Sequence, residues 1–120
     1  MPDYVLPTEF LVITDPGHGW LVATIDDVNA IGLSIYEFSE YSFVEDGTLY
    51  LEEDADATLF VLAYEATTKR EPELRYQDVH HFPRNKAHLP GGMSFEHRTQ
   101  KCRALGLLIH SAKLAEGEAA

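Results

Sequence analysis

Hydrophobic positions along the chain change their spacing several times, and each change marks an element. Phe10-Leu-Val-Ile-Thr14 is a β-branched and aromatic run, the composition of a strand. It ends in Asp15-Pro-Gly-His-Gly19, where Pro presets φ and Gly permits positive φ, so the chain turns. Trp20-Leu-Val-Ala23 then reads as the returning strand of a first hairpin. Thr24, with Asp27 three residues on, resembles a capping box and opens a short helix over Ile25–Ile31. Gly32 is its natural stop.

Tyr41-Ser-Phe-Val44 and Thr48-Leu-Tyr-Leu51 flank Glu45-Asp46-Gly47, which predicts a second hairpin with Asp-Gly at its turn. Alternation puts Tyr41 and Phe43 on one face, and Leu49 and Leu51 on one face of the partner strand. Leu59, Phe60, Ala63 and Tyr64 recur at helical spacing within Ala57–Thr67. The acids before that helix and Lys69 and Arg70 after it suit its dipole. Leu74–Phe82 reads as a fifth strand and Pro83–Gly92 as an exposed loop. Ser94–Leu114 is the longest helix, with a stripe of Phe95, Cys102, Leu105, Ile109 and Ala112, and Gly117–Ala120 is a frayed tail. The predicted fold is one α+β domain over residues 1–120. Two hairpins and a fifth strand form a small antiparallel sheet against two or three helices, the last of them long.

Composition bounds the class. At 120 residues the chain has a single-domain length, and 45% hydrophobic with 24% charged residues is ordinary for a folded domain. No apolar run approaches the roughly 20 residues of a membrane span. Met1-Pro2-Asp3 lacks the basic and apolar regions of a secretory signal. A lone Cys102 excludes an intrachain disulfide and suits a reducing compartment, so the expected location is the cytoplasm.

Charge is distributed unevenly. Residues 1–68 contain no Lys or Arg and fourteen Asp or Glu; residues 69–120 contain nine basic and six acidic side chains. Five of the six histidines also lie in the second part. A net charge of −11 disfavours non-specific binding to DNA or to an anionic membrane.

Four stretches, Gly17-His18-Gly19-Trp20-Leu21, Ile31-Gly32-Leu33, Tyr41-Ser42-Phe43 and Leu49-Tyr50-Leu51-Glu52-Glu53-Asp54-Ala55-Asp56, carry a resemblance. Together they resemble a group of small uncharacterised proteins encoded by phages, plasmids and other mobile elements. The group has Cys in the acidic run where Ala55 stands here, and the likeness does not reach Tyr76–Ala120. It implies a setting in mobile DNA and no particular reaction.

Candidate chemistry is concentrated in a few places. His80-His81-Phe82-Pro83, Asn85, Gly91-Gly92 and His97 follow the order of the HNH nuclease motif. There one His activates water, Asn orients it, and a helix His helps hold a metal. Against it, the Gly pair comes late and no bracing Cys pairs are present. His97 and His110 are about 220° apart on a helix, too far to share an ion. Solvated histidines are the simpler reading. Asp15 and His18 could form an acid–base pair, though turn chemistry already accounts for Asp15. Asp54, Asp56, Thr58 and Glu65 match EF-hand positions, but Leu59 stands where the loop requires Gly. Trp20 reads as a core anchor, and Cys102 on its apolar stripe as packing.

The acidic half is the remaining signal. Glu45, Asp46, Glu52, Glu53, Asp54 and Asp56 are the residues expected to bind. The expected activity is non-enzymatic and needs no cofactor or metal. The protein would dock an acidic surface on a basic, nucleic-acid-binding protein of host or phage, with electrostatic steering. Neither direct nucleic-acid contact nor a membrane is expected. A plainer alternative is a homodimer using Tyr36, Phe38 or Tyr41, and the alternative catalytic reading is the nuclease built on His80, His81, Asn85 and His97. The bland counterpart is that these charges are spread around the molecule, or neutralised by Arg75, Arg84, Arg98 and Arg103.

Overall fold

The computed structural model describes residues 4–83 and 85–119, so the Met1-Pro2-Asp3 start, Arg84 and Ala120 lie outside it. The first hairpin forms as its turn residues require, with β1 (Glu9–Asp15) antiparallel to β2 (His18–Thr24). Thr24 accepts the Asp27 N–H, and Asp27 accepts the Thr24 N–H at 2.9 Å, which starts α1 (Ile25–Ala30) with the anticipated capping box. The second hairpin pairs β3 (Phe43–Glu45) with β4 (Thr48–Glu52). Tyr41 and Ser42 stay outside the strand. Next come α2 (Asp56–Thr68), β5 (Glu73–Asp78), β6 (Ala87–His88) and α3 (Phe95–Ala119).

The six strands form one sheet in the order β5-β1-β2-β4-β3-β6. It is mixed, because β5 runs parallel to β1. The antiparallel expectation fails here for a topological reason. Helix α2 carries the chain from β4 across one face of the sheet to its far edge, so the next strand enters in the direction of β1. That face holds the main core. Val12, Leu21 and Leu51 lie opposite one another across the strands, as do Ala23 and Leu49, and Leu59, Phe60, Ala63 and Tyr64 of α2 pack on them.

From β5 the chain must then reach β6 at the opposite edge. Six strands about 4.8 Å apart span roughly 24 Å. The residues between Asp78 and Ala87 can cross that distance only if nearly extended. The predicted strand over Leu74–Phe82 therefore ends at Asp78: Val79 makes a last bond to the Thr14 carbonyl at 2.7 Å and the chain leaves the sheet plane. Phe82 is buried against the sheet's second face, stacked on Trp20 with ring centroids 4.2 Å apart. Trp20, Phe43 and Phe82 make a second, smaller core. The predicted loop over Pro83–Gly92 contains β6, which pairs with β3.

Helix α3 opens on Ser94, whose hydroxyl accepts the His97 N–H at 3.2 Å, and runs on through residues expected to fray. It packs on α2, with Cys102 and Leu105 against the core. Phe95 lies seven residues before Cys102 and so on the same side, but it is 68% exposed because a cavity adjoins that turn. Among the described residues, no helix is long and apolar enough to cross a membrane.

Candidate functional site

A cavity of about 540 Å³ opens beside the second core, between the sheet and the first turn of α3. Strand register sets its wall. Trp20 lies directly opposite Glu52, and Phe43 lies between Tyr50 and His88. Directly opposed residues share a face, so Trp20, Glu52, Phe43 and His88 all turn toward the cavity. Its other side is formed by Tyr41 from the loop before β3 and by Phe95 and Arg98 from α3. Tyr41 is 69% exposed, Phe95 68% and Tyr36 60%.

The floor is a hydrogen-bonded node around Asp56. This carboxylate is fully buried at the first position of α2. It accepts the Ser39 N–H at 2.9 and 3.0 Å, the Ser39 hydroxyl at 2.7 Å and the Ser42 hydroxyl at 2.5 Å. Arg98 Nε stands 4.0 Å away, and its guanidinium also donates to the Met93 carbonyl. Ser42 Oγ in turn accepts the Glu52 N–H at 2.9 Å, so the same hydroxyl positions Glu52. His88 Nδ1 and the Glu40 carbonyl are 2.6 Å apart, which holds β6 against the loop.

The electrostatics follow from this arrangement. Arg98 is balanced by Asp56, so its charge is not the surplus one. Glu52 and Asp54 line the cavity, and among the described residues neither has an ion-pair partner. Burial pushes the Glu52 carboxyl above its usual range, and the Asp54 charge works in the same direction. Both effects make the charged form of Glu52 costlier than that of an exposed carboxylate.

The acidic residues expected to bind do not share one surface. Asp56 is a structural acceptor inside the fold and is not available to a partner. Its burial has a plain cause: the short polar sequence Ser39-Glu-Tyr-Ser42 runs under the helix start and supplies its donors. Glu45 is paired with Lys86 at 2.9 Å. Asp46 sits with it at the β3–β4 turn, at the other end of β4 from Glu52 and roughly 17 Å away at about 3.4 Å per residue. Glu52, Glu53 and Asp54 are contiguous, with Glu52 and Asp54 toward the cavity and Glu53 beside α2 on the other face.

The nuclease arrangement is not assembled. An HNH unit needs a hairpin followed by a helix, whereas β5 and β6 occupy opposite edges of the sheet. His80, His81, Asn85 and His97 are all exposed, and no cluster of three His, Cys, Asp or Glu groups suited to a metal occurs among the described residues. Asp15 Oδ2 accepts the Phe82 N–H at 3.2 Å, with His18 Nδ1 4.0 Å from Oδ1. Phe38 is fully buried and cannot serve a dimer interface, while Tyr36 and Tyr41 are exposed. Burial raises the Cys102 thiol, which agrees with packing and not with a reactive nucleophile.

Sequence reasoning named Arg98 as a possible countercharge for the acidic half but missed His88 and the cavity roles of Tyr41, Phe95 and Arg98. One local signal was present: Phe95 and Arg98, three apart at a helix start, fall on one side of it. Comparison of the chain with family models, with curated proteins and with solved structures returned no match.

Proposed function

We propose that this protein acts by binding, and that it docks the acidic lip after β4, with Glu52 and Asp54 on its cavity side and Glu53 on its α2 side, onto a basic, nucleic-acid-binding protein. The observation that carries the reading is the fate of the chain's cations. Arg75, Lys86, Arg98, Lys101 and Lys113 pair with Glu9, Glu45, Asp56, Glu37 and Glu65, each cation from the later segment meeting an acid from the earlier one. These pairs neutralise part of the acidic half and leave the lip unpaired among the described residues. An uncompensated anionic lip beside exposed aromatics suits a cationic partner surface. The resemblance to mobile-element proteins supports a role as an accessory or inhibitory factor acting on a host protein.

The test is capture from host lysate at low and moderate salt, with Glu53→Lys/Asp54→Lys as the comparison. A basic protein retained by the wild type, lost with rising salt and lost with the double reversal, supports the reading. Retention that ignores the reversal ends it.

A further inference from the structure

The docking reading leaves open what the cavity beside the lip accepts, and its lining narrows the choice. The space is about 540 Å³, larger than one side chain needs, and opens to solvent between Tyr41 and Phe95. Glu52 and Asp54 supply two carboxylates there, while the one guanidinium among the described residues of the lining, Arg98, is already engaged by Asp56 and the Met93 carbonyl. An incoming anion would meet those carboxylates with no free cation among the described residues to offset them. An incoming cation would meet the carboxylates and the face of an aromatic ring, both attractive.

We propose that this cavity seats the guanidinium of an arginine side chain presented by the partner, with Glu52 and Asp54 accepting its N–H groups and Tyr41 stacking on its plane. Arginine fits better than lysine because a planar fork can pair with carboxylate oxygens and lie flat on a ring at the same time. The seat is firmly built: Ser42 holds the Glu52 backbone from one side and the Asp56 node from the other. The proposal rests on the docking reading but adds a separate, smaller claim to it.

The probe is Nα-acetyl-arginine-N-methylamide, titrated into the 15N-labelled full chain, with the corresponding lysine and citrulline derivatives as comparisons. Saturable shifts of the Trp20 indole and of Tyr41 and Asp54 amides are expected with arginine, weaker ones with lysine, and none with uncharged citrulline. Glu52→Gln and Tyr41→Ala should each weaken arginine binding at least several-fold, with spectra otherwise retained. Equal response to citrulline, or unchanged affinity in both variants, overturns the seat. Shifts with inorganic phosphate in place of arginine would also overturn it. If arginine fails to bind while capture of a basic protein still depends on Glu53 and Asp54, the seat falls and docking stands. If both fail, the docking reading falls too.

Discussion

Ser42 and Asp56 are joined by a hydroxyl–carboxylate hydrogen bond that ties the start of α2 to the loop ahead of β3. The same Ser42 oxygen accepts the N–H of Glu52, so one side chain couples a buried anion to the cavity wall. A helix start welcomes negative charge, but full burial of that charge is stable only when donors saturate it. Ser39 and Ser42 provide those donors, with Arg98 as the nearby countercharge.

Removing the anion should therefore cost more than removing any donor. Asp56→Ala strands two hydroxyls, a backbone N–H and a largely buried guanidinium. A loss of about 3–5 kcal/mol is expected, as for the breaking of a buried ionic group. Ser42→Ala, which leaves the other donors in place, should cost about 1–2 kcal/mol. Urea unfolding of both variants measures the order. An Asp56→Ala cost no larger than that of Ser42→Ala would mean that the node does not hold the helix start.

Phe82 pins the extended crossing to the sheet's second face, where it stacks on the only tryptophan. Phe82→Ala should destabilise by about 3–4 kcal/mol and admit water to the indole. The fluorescence of Trp20 reports this directly, with a red-shifted native emission expected. An unshifted spectrum with normal stability would show that the crossing is held by other contacts.

Local periodicity carried both hairpins, α1 with its capping box, and the α2 and α3 helices, because each is decided by residues close in sequence. The partner of β5 was not legible. Its register against β1 (Glu9 with Glu73 through Thr14 with Asp78) depends on where α2 delivers the chain. Strand β6 is two residues long and exists through its pairing with β3, so no run of apolar residues announces it. For the site, Glu52 and Asp54 stand out in sequence as part of an acidic run. The burial of Asp56 within that same run does not, since its donors lie 14 and 17 residues away. Trp20 was legible as an anchor, but its stacking partner Phe82 comes from the crossing segment.

Lys69 ends α2 in the left-handed region at φ 67°, a conformation that costs a residue bearing a Cβ. Lys69→Gly relieves this strain and should stabilise the fold by about 0.5–1 kcal/mol. The gain is reduced slightly by loss of the exposed Lys69 Nζ bond to the Ala66 carbonyl. Thermal unfolding should show a higher midpoint, and a lower one would locate the helix end elsewhere.

Cys102 packs beside Leu105 against the core, and burial is the main cause that raises its thiol. Only the thiolate reacts with alkylating reagents. Iodoacetamide should label native protein at neutral pH at least tenfold more slowly than urea-unfolded protein. Equal rates would mean that the α2–α3 packing opens readily.

Glu52 supplies a test whose sign depends on pH. Burial, the larger cause, favours its neutral form in the folded chain, so its folded value lies above the ordinary carboxylate value. The unfolded chain releases the proton first as pH rises. The stability contributed by the protonated group is thus fully present below the ordinary carboxylate value and is lost as pH rises through the folded value. Glu52→Gln keeps an oxygen that can accept the Asp54 N–H and carries no charge. The variant should therefore be the more stable protein at pH 7, and its advantage should vanish as pH falls below the ordinary carboxylate value. Paired urea midpoints across that range isolate Glu52 from the other carboxyls, which are common to both proteins. An advantage that stays constant with pH would assign the effect to shape. A wild type more stable than the variant at pH 7 would mean that the carboxylate already has a favourable countercharge within the chain, and would remove the electrostatic reason for expecting a partner's cation there.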